Sequence, residues 1–214
     1  MEKSILIIGA GPGLSRSVAE KFAKEGFTIN LVSRNQDNLE KLKQELNAKG
    51  IDVNYAVADA GEADQLTKAV AELSDAHSGF DAVLYNAAVL KAKNILEETS
   101  ESLTHEFTIN VANALHTLQL THAGLKQKKG ALLLTGGGLA LDPSAEYGSL
   151  SIGKAGIRNL AYQLHDQLKD DEIYVGLLTV AGFILPNSET HSPEILADLF
   201  WNLYNERTAV EFKQ

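Results

Sequence analysis

The 214-residue sequence predicts an α/β fold, in which one doubly wound, mostly parallel sheet of about seven strands has helices on both faces. The first observation behind this prediction is that short apolar runs alternate with longer amphipathic stretches from one end of the chain to the other. The second is that some of these runs are apolar at every position, as at residues 5–8, which is typical of strands covered on both faces. We therefore expect a single domain over residues 1–214.

The predicted elements follow one another in a regular order. Strands are predicted at residues 5–8, 27–32, 53–57, 80–85, 131–135, 174–180 and 209–212, of which the last is the weakest run. Helices are predicted between them, at residues 14–25, 38–49, 63–76, 103–126, 151–168 and 193–204. Two loops without periodicity, 136–148 and 181–192, follow the fifth and sixth strands. Because ligands bind at the carboxyl ends of strands in open α/β sheets, we expect both loops to border a site.

The composition argues against several classes of protein. With 19 basic and 28 acidic residues the net charge is −9, and no Lys/Arg cluster is present, which disfavours binding to nucleic acid or to anionic membranes. The chain has no cysteine, which rules out disulfides, thiolate metal sites and a cysteine nucleophile. No segment reaches the ~18 apolar residues of a membrane span. We expect a cytoplasmic protein.

Other catalytic patterns are missing from the sequence. His105-Glu106 begins like a zinc-binding H-E-x-x-H motif, but the second histidine is not there, and we expect no metal site. The G-x-S-x-G motif of α/β-hydrolases is also missing. Ser144, Ser149 and Ser151 have no base beside them in sequence, and we interpret them as loop and cap residues.

A glycine-rich segment follows the first predicted strand and precedes a helix, with the sequence Gly9-Ala10-Gly11-Pro12-Gly13-Leu14-Ser15. Glycines allow a sharp turn and let backbone N–H groups approach a pyrophosphate at the helix N-terminus. The spacing is G-x-x-x-G-x-S rather than G-x-G-x-x-G, because position 14 is leucine. A tightly packed turn without a ligand is the alternative. The place between strand and helix favours a Rossmann-type dinucleotide loop formed by Gly9, Gly11, Gly13 and Leu14.

The end of the second predicted strand indicates which dinucleotide is bound. A site that selects NAD usually has an acidic residue here to bind the ribose 2′-hydroxyl. This sequence has Ser33, Arg34 and Asn35 instead. A guanidinium group can form a forked hydrogen bond with a 2′-phosphate and stack on adenine, which favours NADP. The alternative is that Arg34 is only a solvated loop residue.

Further residues occur in a recognisable order after the next strands. They are Asp59-Ala60, Asn86-Ala87-Ala88, Asn110-Val111, Gly153-Lys154-Ala155-Gly156 and Ala181-Gly182. In this order the chain resembles the short-chain dehydrogenase/reductase family, over essentially its whole length. The resemblance implies an adenine contact at Asp59 and Ala60, cofactor contacts at Asn86 and Ala87, a catalytic-site Asn110, a ribose contact at Lys154, and contacts with the nicotinamide at Gly182 and Ile184.

The sequence departs from the family where the chemistry takes place. Members of the family use a tyrosine as general acid/base four residues before the lysine, and this position is Leu150 here. The family's serine, which holds the substrate carbonyl, is replaced by Gly137 in a triple glycine that we interpret as pocket lining. Ala181 replaces the usual proline of the last turn. Pro186 stands where a threonine often holds the carboxamide.

Tyr147 is the candidate replacement for the missing proton donor. It precedes Lys154 by seven residues, so within one helix the two side chains share a face but lie about 10.5 Å apart along the axis, compared with about 6 Å for an i, i+4 pair. Tyr147 therefore reaches the site only if the helix begins after it and the loop folds back. The alternative is an aromatic side chain that lines or closes the pocket.

Two hypotheses follow from these observations. The first is an NADP-dependent oxidoreductase that transfers a hydride to or from a small carbonyl or alcohol substrate, with an altered proton donor and with Lys154, Asn110 and Tyr147 as catalytic residues. The second is a catalytically degenerate NADP(H)-binding protein that acts as a sensor, regulator or assembly partner. The resemblance also implies a homodimer or homotetramer, in which the two long helices form the contact.

Overall fold

The computed structural model describes residues 3–75 and 79–214. Its single sheet has seven parallel strands in the order β3-β2-β1-β4-β5-β6-β7. The strands are β1 (Lys3–Ile8), β2 (Phe27–Ser33), β3 (Val53–Val57), β4 (Ala82–Tyr85), β5 (Ala131–Thr135), β6 (Tyr174–Thr179) and β7 (Glu211–Lys213). The predicted doubly wound α/β fold is therefore confirmed, and the order reverses between β1 and β4, where open sheets of this type bind ligands.

Seven α-helices connect the strands in the described part of the chain. They are α1 (Leu14–Lys24), α2 (Gln36–Asn47), α3 (Ala63–Asp75), α4 (Ser100–Phe107), α5 (Asn113–Lys128), α6 (Gly148–Gln167) and α7 (Pro193–Glu206). The helices divide into two layers. One apolar core lies between the sheet and α1, α2 and α7, and a second lies between the sheet and α3, α5 and α6.

The central strands are covered on both faces, as their continuous apolar sequence predicts. Ile5, Leu6, Ile7 and Ile8 are fully buried, and alternate residues belong to the two different cores. Burial of one such side chain stabilises the fold by about 1.5–3 kcal/mol, so the central strands form a rigid base beneath the loops at their carboxyl ends.

The predicted helix 103–126 is helical throughout, but the helical segment extends from Ser100 to Lys128 and contains a π-helical turn. Helix α4 begins at Ser100, because the Thr99 side chain accepts a hydrogen bond from the Ser102 N–H (3.1 Å) and Ser102 Oγ accepts one from the Thr99 N–H (3.2 Å). This capping box uses a serine in place of the usual Glu or Gln, so the sequence signal is weak. A π-helical turn, Thr108–Ala112, then separates α4 from α5.

The other predicted bounds differ by smaller amounts. The strand predicted at 80–85 begins at Ala82, the strand predicted at 209–212 is Glu211–Lys213, and the helix predicted at 151–168 begins at Gly148. Helix α3 is described to Asp75, and Ala76, the last residue of the predicted helix 63–76, lies outside the described residues. Local propensity does not determine these ends, since each depends on contacts with distant segments.

A buried carboxylate fastens the edge strand β7 to α6. Arg158 donates two hydrogen bonds to Glu211, from Nε (3.0 Å) and Nη2 (2.8 Å). Tyr162 Oη and Thr179 Oγ1 also donate to Glu211, at 2.8 Å and 2.7 Å. Burial by itself raises the pKa of Glu211, but these four donors together lower it to about 2.

We expect Glu211→Gln to lower the free energy of unfolding at pH 7 by about 2–3 kcal/mol, because Arg158 loses its charged partner inside the protein. The difference from the unchanged protein should shrink as the pH falls from 4.5 towards 2. The carboxylate's contribution is complete above its ordinary pKa of 4.5 and is lost through the folded-state value of about 2. Urea unfolding at several pH values measures both effects.

Glu172→Gln is the matched control. Glu172 pairs with Lys129 at 2.8 Å, but both side chains are more than half exposed. Such pairs contribute little, so this change should cost less than about 0.5 kcal/mol at any pH. Equal effects of the two substitutions would contradict the assignment of Glu211 as a structural fastener.

Candidate active site

The glycine loop turns where β1 meets β4. Gly9 has a φ of +85°, and a Cβ atom added there would lie 2.5 Å from the backbone nitrogen of Ala87. The Gly9 and Ala10 N–H groups both donate to the Val32 carbonyl at 2.9 Å. Only glycine satisfies both the positive φ and this close approach. The sharp turn predicted for the glycine-rich segment therefore requires glycine at position 9.

The side chain of Asn86 joins the loops that follow three strands. Asn86 Nδ2 donates to Ser15 Oγ (2.9 Å), and Thr135 Oγ1 donates to Asn86 Oδ1 (2.8 Å). Ser15 Oγ in turn donates to the Gly9 carbonyl at 2.9 Å. The amide of Asn86 is thus used to hold the protein together. Thr135 was not singled out from the sequence, although its place at the end of β5 was a usable signal.

The start of α1 has the features of an anion site. A Cβ atom at Gly11 or Gly13 would meet nothing within 4 Å, so the space beside both residues is open. Gly13 caps the helix without a side-chain hydrogen bond, and the first turn contains no acidic residue. Leu14 is buried beneath the loop. The positive end of the helix dipole therefore lies beside open space.

The residues after β2 differ in how free their side chains are. Asn35 caps α2, because its Oδ1 accepts a hydrogen bond from the Asn38 N–H at 2.9 Å. Ser33 is half-buried, and its carbonyl accepts a hydrogen bond from the Ala58 N–H. Arg34 is exposed and forms no ion pair with residues 3–75 or 79–214. A guanidinium group in this position is available to an anionic ligand.

Asp59 and Ala60 lie at the carboxyl end of β3. Asp59 Oδ1 accepts a hydrogen bond from the Gly61 N–H (2.8 Å), and Asn113 Nδ2 donates to the Ala60 carbonyl (2.6 Å). Burial, and next the negative charge of Asp59, raise the pKa of Tyr85 well above its ordinary value. The Tyr85 hydroxyl donates to the Ile109 carbonyl at 2.6 Å, so it is a structural group of the core.

Asn110 lies in the π-helical turn, which the sequence pattern did not reveal. Its Oδ1 accepts a hydrogen bond from the Val89 N–H at 2.8 Å. Its Nδ2 is buried and has no hydrogen-bond partner in the described part of the chain. A Cβ atom at Gly153 would lie 2.6 Å from this nitrogen, so α6 packs directly against the amide. Functional sites often contain π-helical turns and buried polar groups without partners.

Lys154 is the ionisable side chain at the centre of this arrangement. Its Nζ donates to the Thr135 carbonyl at 2.9 Å. Burial lowers the pKa of Lys154 to about 8. A Cβ atom at Gly137 would lie 3.2 Å from both Cδ and Cε of Lys154. The lysine stem therefore packs against the position where the family has its serine side chain.

Leu150 and Tyr147 occupy different surroundings at the start of α6. Leu150 is buried. Tyr147 is the N-cap residue of α6, so the helix begins directly after it, as the prediction for Tyr147 required. A backbone bridge joins Tyr147 to Lys93, and the Gly148 N–H donates to the Lys93 carbonyl at 3.1 Å. The residue is half-buried in the wall between the loops, and its part in proton transfer remains a prediction.

A buried acidic pair, Glu98 and Glu106, supports the loop after β4. The Lys91 Nζ donates to Glu106 (3.2 Å), and the Lys93 Nζ donates to Glu98 (3.2 Å). Ser149, predicted to be a loop or cap residue, lies inside α6, and its Oγ donates a hydrogen bond to Glu106. The sequence could not reveal this contact, because Ser149 and Glu106 lie on different helices.

The loop after β6 contains Gly182 and Ile184, and residues 181–187 are all exposed. The Ala181 N–H donates to the Gln214 carbonyl at 2.7 Å, which ties the loop to the end of β7. A Cβ atom at Gly182 would lie 3.2 Å from the ring of His191. The predicted loop is thus present at the carboxyl edge of the sheet, beside the segment that follows β5.

The structure brings three of the predicted residues together. Thr135 connects them, because it donates to Asn86 and accepts from Lys154, while Asn110 packs against the residue before Lys154. The glycine loop joins this group through Ser15. Within the described residues, no cluster of three or more His, Asp or Glu side chains has the geometry of a metal site.

Comparison with known proteins identifies the family. The sequence profile described as "short chain dehydrogenase" matches residues 3–191. The chain therefore belongs to the short-chain dehydrogenase family. Its relatives include a tropinone reductase homolog from Arabidopsis thaliana, which is 26% identical over 189 residues, covering 87% of this chain and 71% of that protein. An uncharacterized oxidoreductase from Mycobacterium tuberculosis is 30% identical over 181 residues, covering 82% of this chain and 71% of that protein.

Other relatives are matched over a shorter region. A second tropinone reductase homolog from Arabidopsis thaliana is 33% identical over 125 residues, which is 58% of this chain and only 47% of that protein. Among solved structures, L-sorbose reductase from Gluconobacter frateurii, complexed with NADPH and L-sorbose, has a TM-score of 0.91 at 22% identity. The match covers 100% of this chain and 95% of the reductase, and it establishes a common fold.

None of the helices in the described part of the chain combines the length and the apolar character that crossing a membrane requires.

We expect Gly9→Ala to lower the free energy of unfolding by about 2 kcal/mol or more, because alanine is strained at a φ of +85° and its methyl group collides with Ala87. Gly11→Ala, which adds the same methyl group in open space, should change stability by less than about 0.5 kcal/mol. Thermal and urea unfolding measure both. Similar losses of stability for the two variants would contradict the idea that the close approach of Gly9 to Ala87 excludes a side chain at position 9.

Proposed function

We propose that the protein is an NADP(H)-dependent oxidoreductase that interconverts a small carbonyl compound and an alcohol. The observation that carries the proposal is the position of Lys154, whose buried ammonium group lies at the carboxyl end of β5 and is linked through Thr135 and Asn86 to the glycine loop. The reductase activities of several members of the family support it. A cytoplasmic location and a single domain over residues 1–214 remain predictions.

The residues around the switch between β1 and β4 suit a dinucleotide. The open space beside Gly11 and Gly13 and the uncapped, acid-free start of α1 fit a pyrophosphate. We propose that the cofactor is held by the glycine loop with Leu14, by Ser33, Arg34 and Asn35, by Asp59 and Ala60, by Asn86 and Ala87, by Lys154, and by Gly182 and Ile184. When bound, NADPH supplies the hydride.

The selection of NADP over NAD is assigned to Arg34. Its exposed guanidinium group has no ionic partner among the described residues, and no acidic side chain replaces it at the end of β2. A 2′-phosphate would satisfy it with charge-assisted hydrogen bonds. Solved structures of the same fold, including an alcohol dehydrogenase from Thermococcus sibiricus complexed with 5-hydroxy-NADP (19% identity, TM-score 0.87), support this choice.

We assign the donation of the proton in carbonyl reduction to Lys154. Leu150 cannot transfer a proton, whereas the Lys154 ammonium group, with its pKa lowered to about 8 by burial, is an acid of suitable strength near neutral pH. Gly137 makes room for the lysine stem, so the two departures from the family pattern favour the same group. In this proposal Tyr147 forms the pocket wall. Asn110 keeps the π-helical turn in register with the site through its bond from Val89.

The alternative is an NADP(H)-binding protein without turnover, acting as a sensor, regulator or assembly partner. Leu150 and Gly137 favour it, because they remove two groups that family members use. Assembly as a homodimer or homotetramer belongs to both proposals. Phe107, Ile152 and Tyr162 on α4 and α6 are apolar and exposed, which suits such a contact.

We expect NADPH to bind with a micromolar Kd, about −8 kcal/mol, and NADH to bind at least tenfold more weakly. Arg34→Ala should weaken NADPH binding about tenfold or more and leave NADH binding unchanged. Lys21→Ala removes an equal charge that pairs with Asp198 on α7, and it should affect neither. Titration of the three proteins with both nucleotides, followed by nicotinamide fluorescence, measures all six affinities. Equal binding of both nucleotides would overturn the role of Arg34.

We expect Lys154→Arg to bind NADPH within about threefold of the unchanged protein but to lose about 10²–10⁴ in carbonyl reduction, because arginine keeps the charge and cannot release a proton. Reduction by the unchanged protein should fall as the pH rises through about 8, where the lysine loses its proton. Tyr147→Phe should change the rate only a few-fold. A large loss of rate in Tyr147→Phe with little loss in Lys154→Arg would assign proton donation to Tyr147. The absence of turnover with any carbonyl compound would favour the NADP(H)-binding protein without catalytic activity.

A further inference from the structure

Large apolar side chains are exposed around one edge of the sheet. Of the eleven large hydrophobic residues that are exposed in the described part of the chain, six belong to the three loops that follow β4, β5 and β6. The most exposed are Leu96 (93%), Leu90 (78%) and Phe183 (77%). We call this set the apolar rim, and it consists of Leu90, Leu96, Leu141, Phe183, Ile184 and Leu185.

Contacts between the loops hold the apolar rim around the candidate site. The Ile95 N–H donates to the Ala145 carbonyl (2.8 Å), which joins the loop after β4 to the loop after β5. The Gly138 N–H donates to the Val180 carbonyl (2.9 Å), which joins the loop after β5 to the loop after β6. Since β4, β5 and β6 are neighbours in the sheet, all three loops border the position of Lys154.

Several charged groups near the apolar rim already have partners, although the exposed Glu97 and Asp142 lie next to Leu96 and Leu141. Lys91 and Lys93 are paired with the buried Glu106 and Glu98 at 3.2 Å each. Glu146 accepts a hydrogen bond from Asn94 Nδ2 at 2.8 Å. The exposed segment 181–186 contains no charged residue. An apolar chain would gain from leaving water and contacting the rim, whereas segment 181–186 offers a polar substrate no charged partner.

We propose that the apolar rim binds the hydrocarbon part of the substrate, so that the protein acts on an aliphatic or aromatic ketone or aldehyde rather than on a sugar. This inference rests on the proposed function, because it makes the rim the outer part of the same site. The carbonyl group then lies towards Lys154, and the hydrocarbon chain lies against side chains that are otherwise exposed to water. A concentration of exposed apolar side chains in neighbouring loops is typical of a surface that binds a ligand or partner.

Binding of inert probes tests the inference without turnover. The Kd of n-alkan-2-ones of five to ten carbon atoms is measured by calorimetry with NADP⁺-saturated protein, and L-sorbose serves as the polar ketone. We expect each added CH₂ group to strengthen binding about two- to fourfold and L-sorbose to bind more weakly than every ketone of the series. A Kd independent of chain length, or tighter binding of L-sorbose, overturns the inference.

Two variants locate the effect. Phe183→Ser should reduce the gain per CH₂ group to less than about half, because it removes the largest side chain of the apolar rim. Phe212→Ser, which changes an equally large side chain that is 43% exposed on β7, should leave the chain-length dependence unchanged. An equal effect of both variants contradicts a site formed by the rim.

Further outcomes separate this inference from the proposed function. If NADPH binds but the ketone series is flat, only the role of the apolar rim fails. If no nucleotide binds, and the ketone series measured without nucleotide shows the chain-length dependence, the proposed function fails and the apolar site remains. A ketone Kd independent of chain length, together with self-association that Phe183→Ser abolishes, would assign the apolar rim to contact with a second copy of the chain. The same ketone result, together with sedimentation on phosphatidylcholine vesicles that Phe183→Ser abolishes, would assign it to a lipid surface.

Discussion

The close approach of Gly9 to Ala87 is the constraint on which the site depends. Strand β1 lies between β2 and β4, and the chain has to leave β1 over the end of β4 without the space for a side chain. The positive φ of Gly9 turns the chain away from the direction of β1. The hydrogen bonds from Asn86 to Ser15 and from Thr135 to Asn86 then connect the glycine loop to β5. The positions of α1 and of Lys154 both follow from this junction.

In the proposed mechanism, the chemistry of the site differs from that of its family in a consistent way. A serine side chain at position 137 would crowd the stem of Lys154, and a leucine at position 150 offers no hydroxyl group beside its ammonium. The two changes leave one buried cation in place of a group of three polar side chains. Burial, rather than a neighbouring charge, is what lowers its pKa. A desolvated amine can combine the roles of positive charge and proton donor, which the family divides between two residues.

The sequence predicted the architecture because the relevant signals are local. Continuous apolar runs predicted the strands. The glycine loop and Arg34 were predicted from their places after the first two strands, and Asn86 and Lys154 from the resemblance to the family. The π-helical turn within the long helical segment was not predicted. At this turn Asn110 packs against Gly153, a contact between residues that are far apart in the sequence. Contacts between distant residues, such as Ser149 with Glu106 or Arg158 with Glu211, are set by the tertiary fold and leave no spacing pattern in the chain.

The order of the strands also has a consequence for how the polypeptide acquires its structure. Strands β1, β2 and β3 can pair as soon as the first part of the chain has been synthesised, but β1 must keep its other edge open for β4, which arrives only after α3. Until then one side of the apolar strand β1 is unpaired and able to associate with other chains. Loop closure over this distance is slow compared with local pairing. Nascent chains that stop before β4 are therefore expected to be the aggregation-prone species, and ribosome-bound chaperones to be most important at that length.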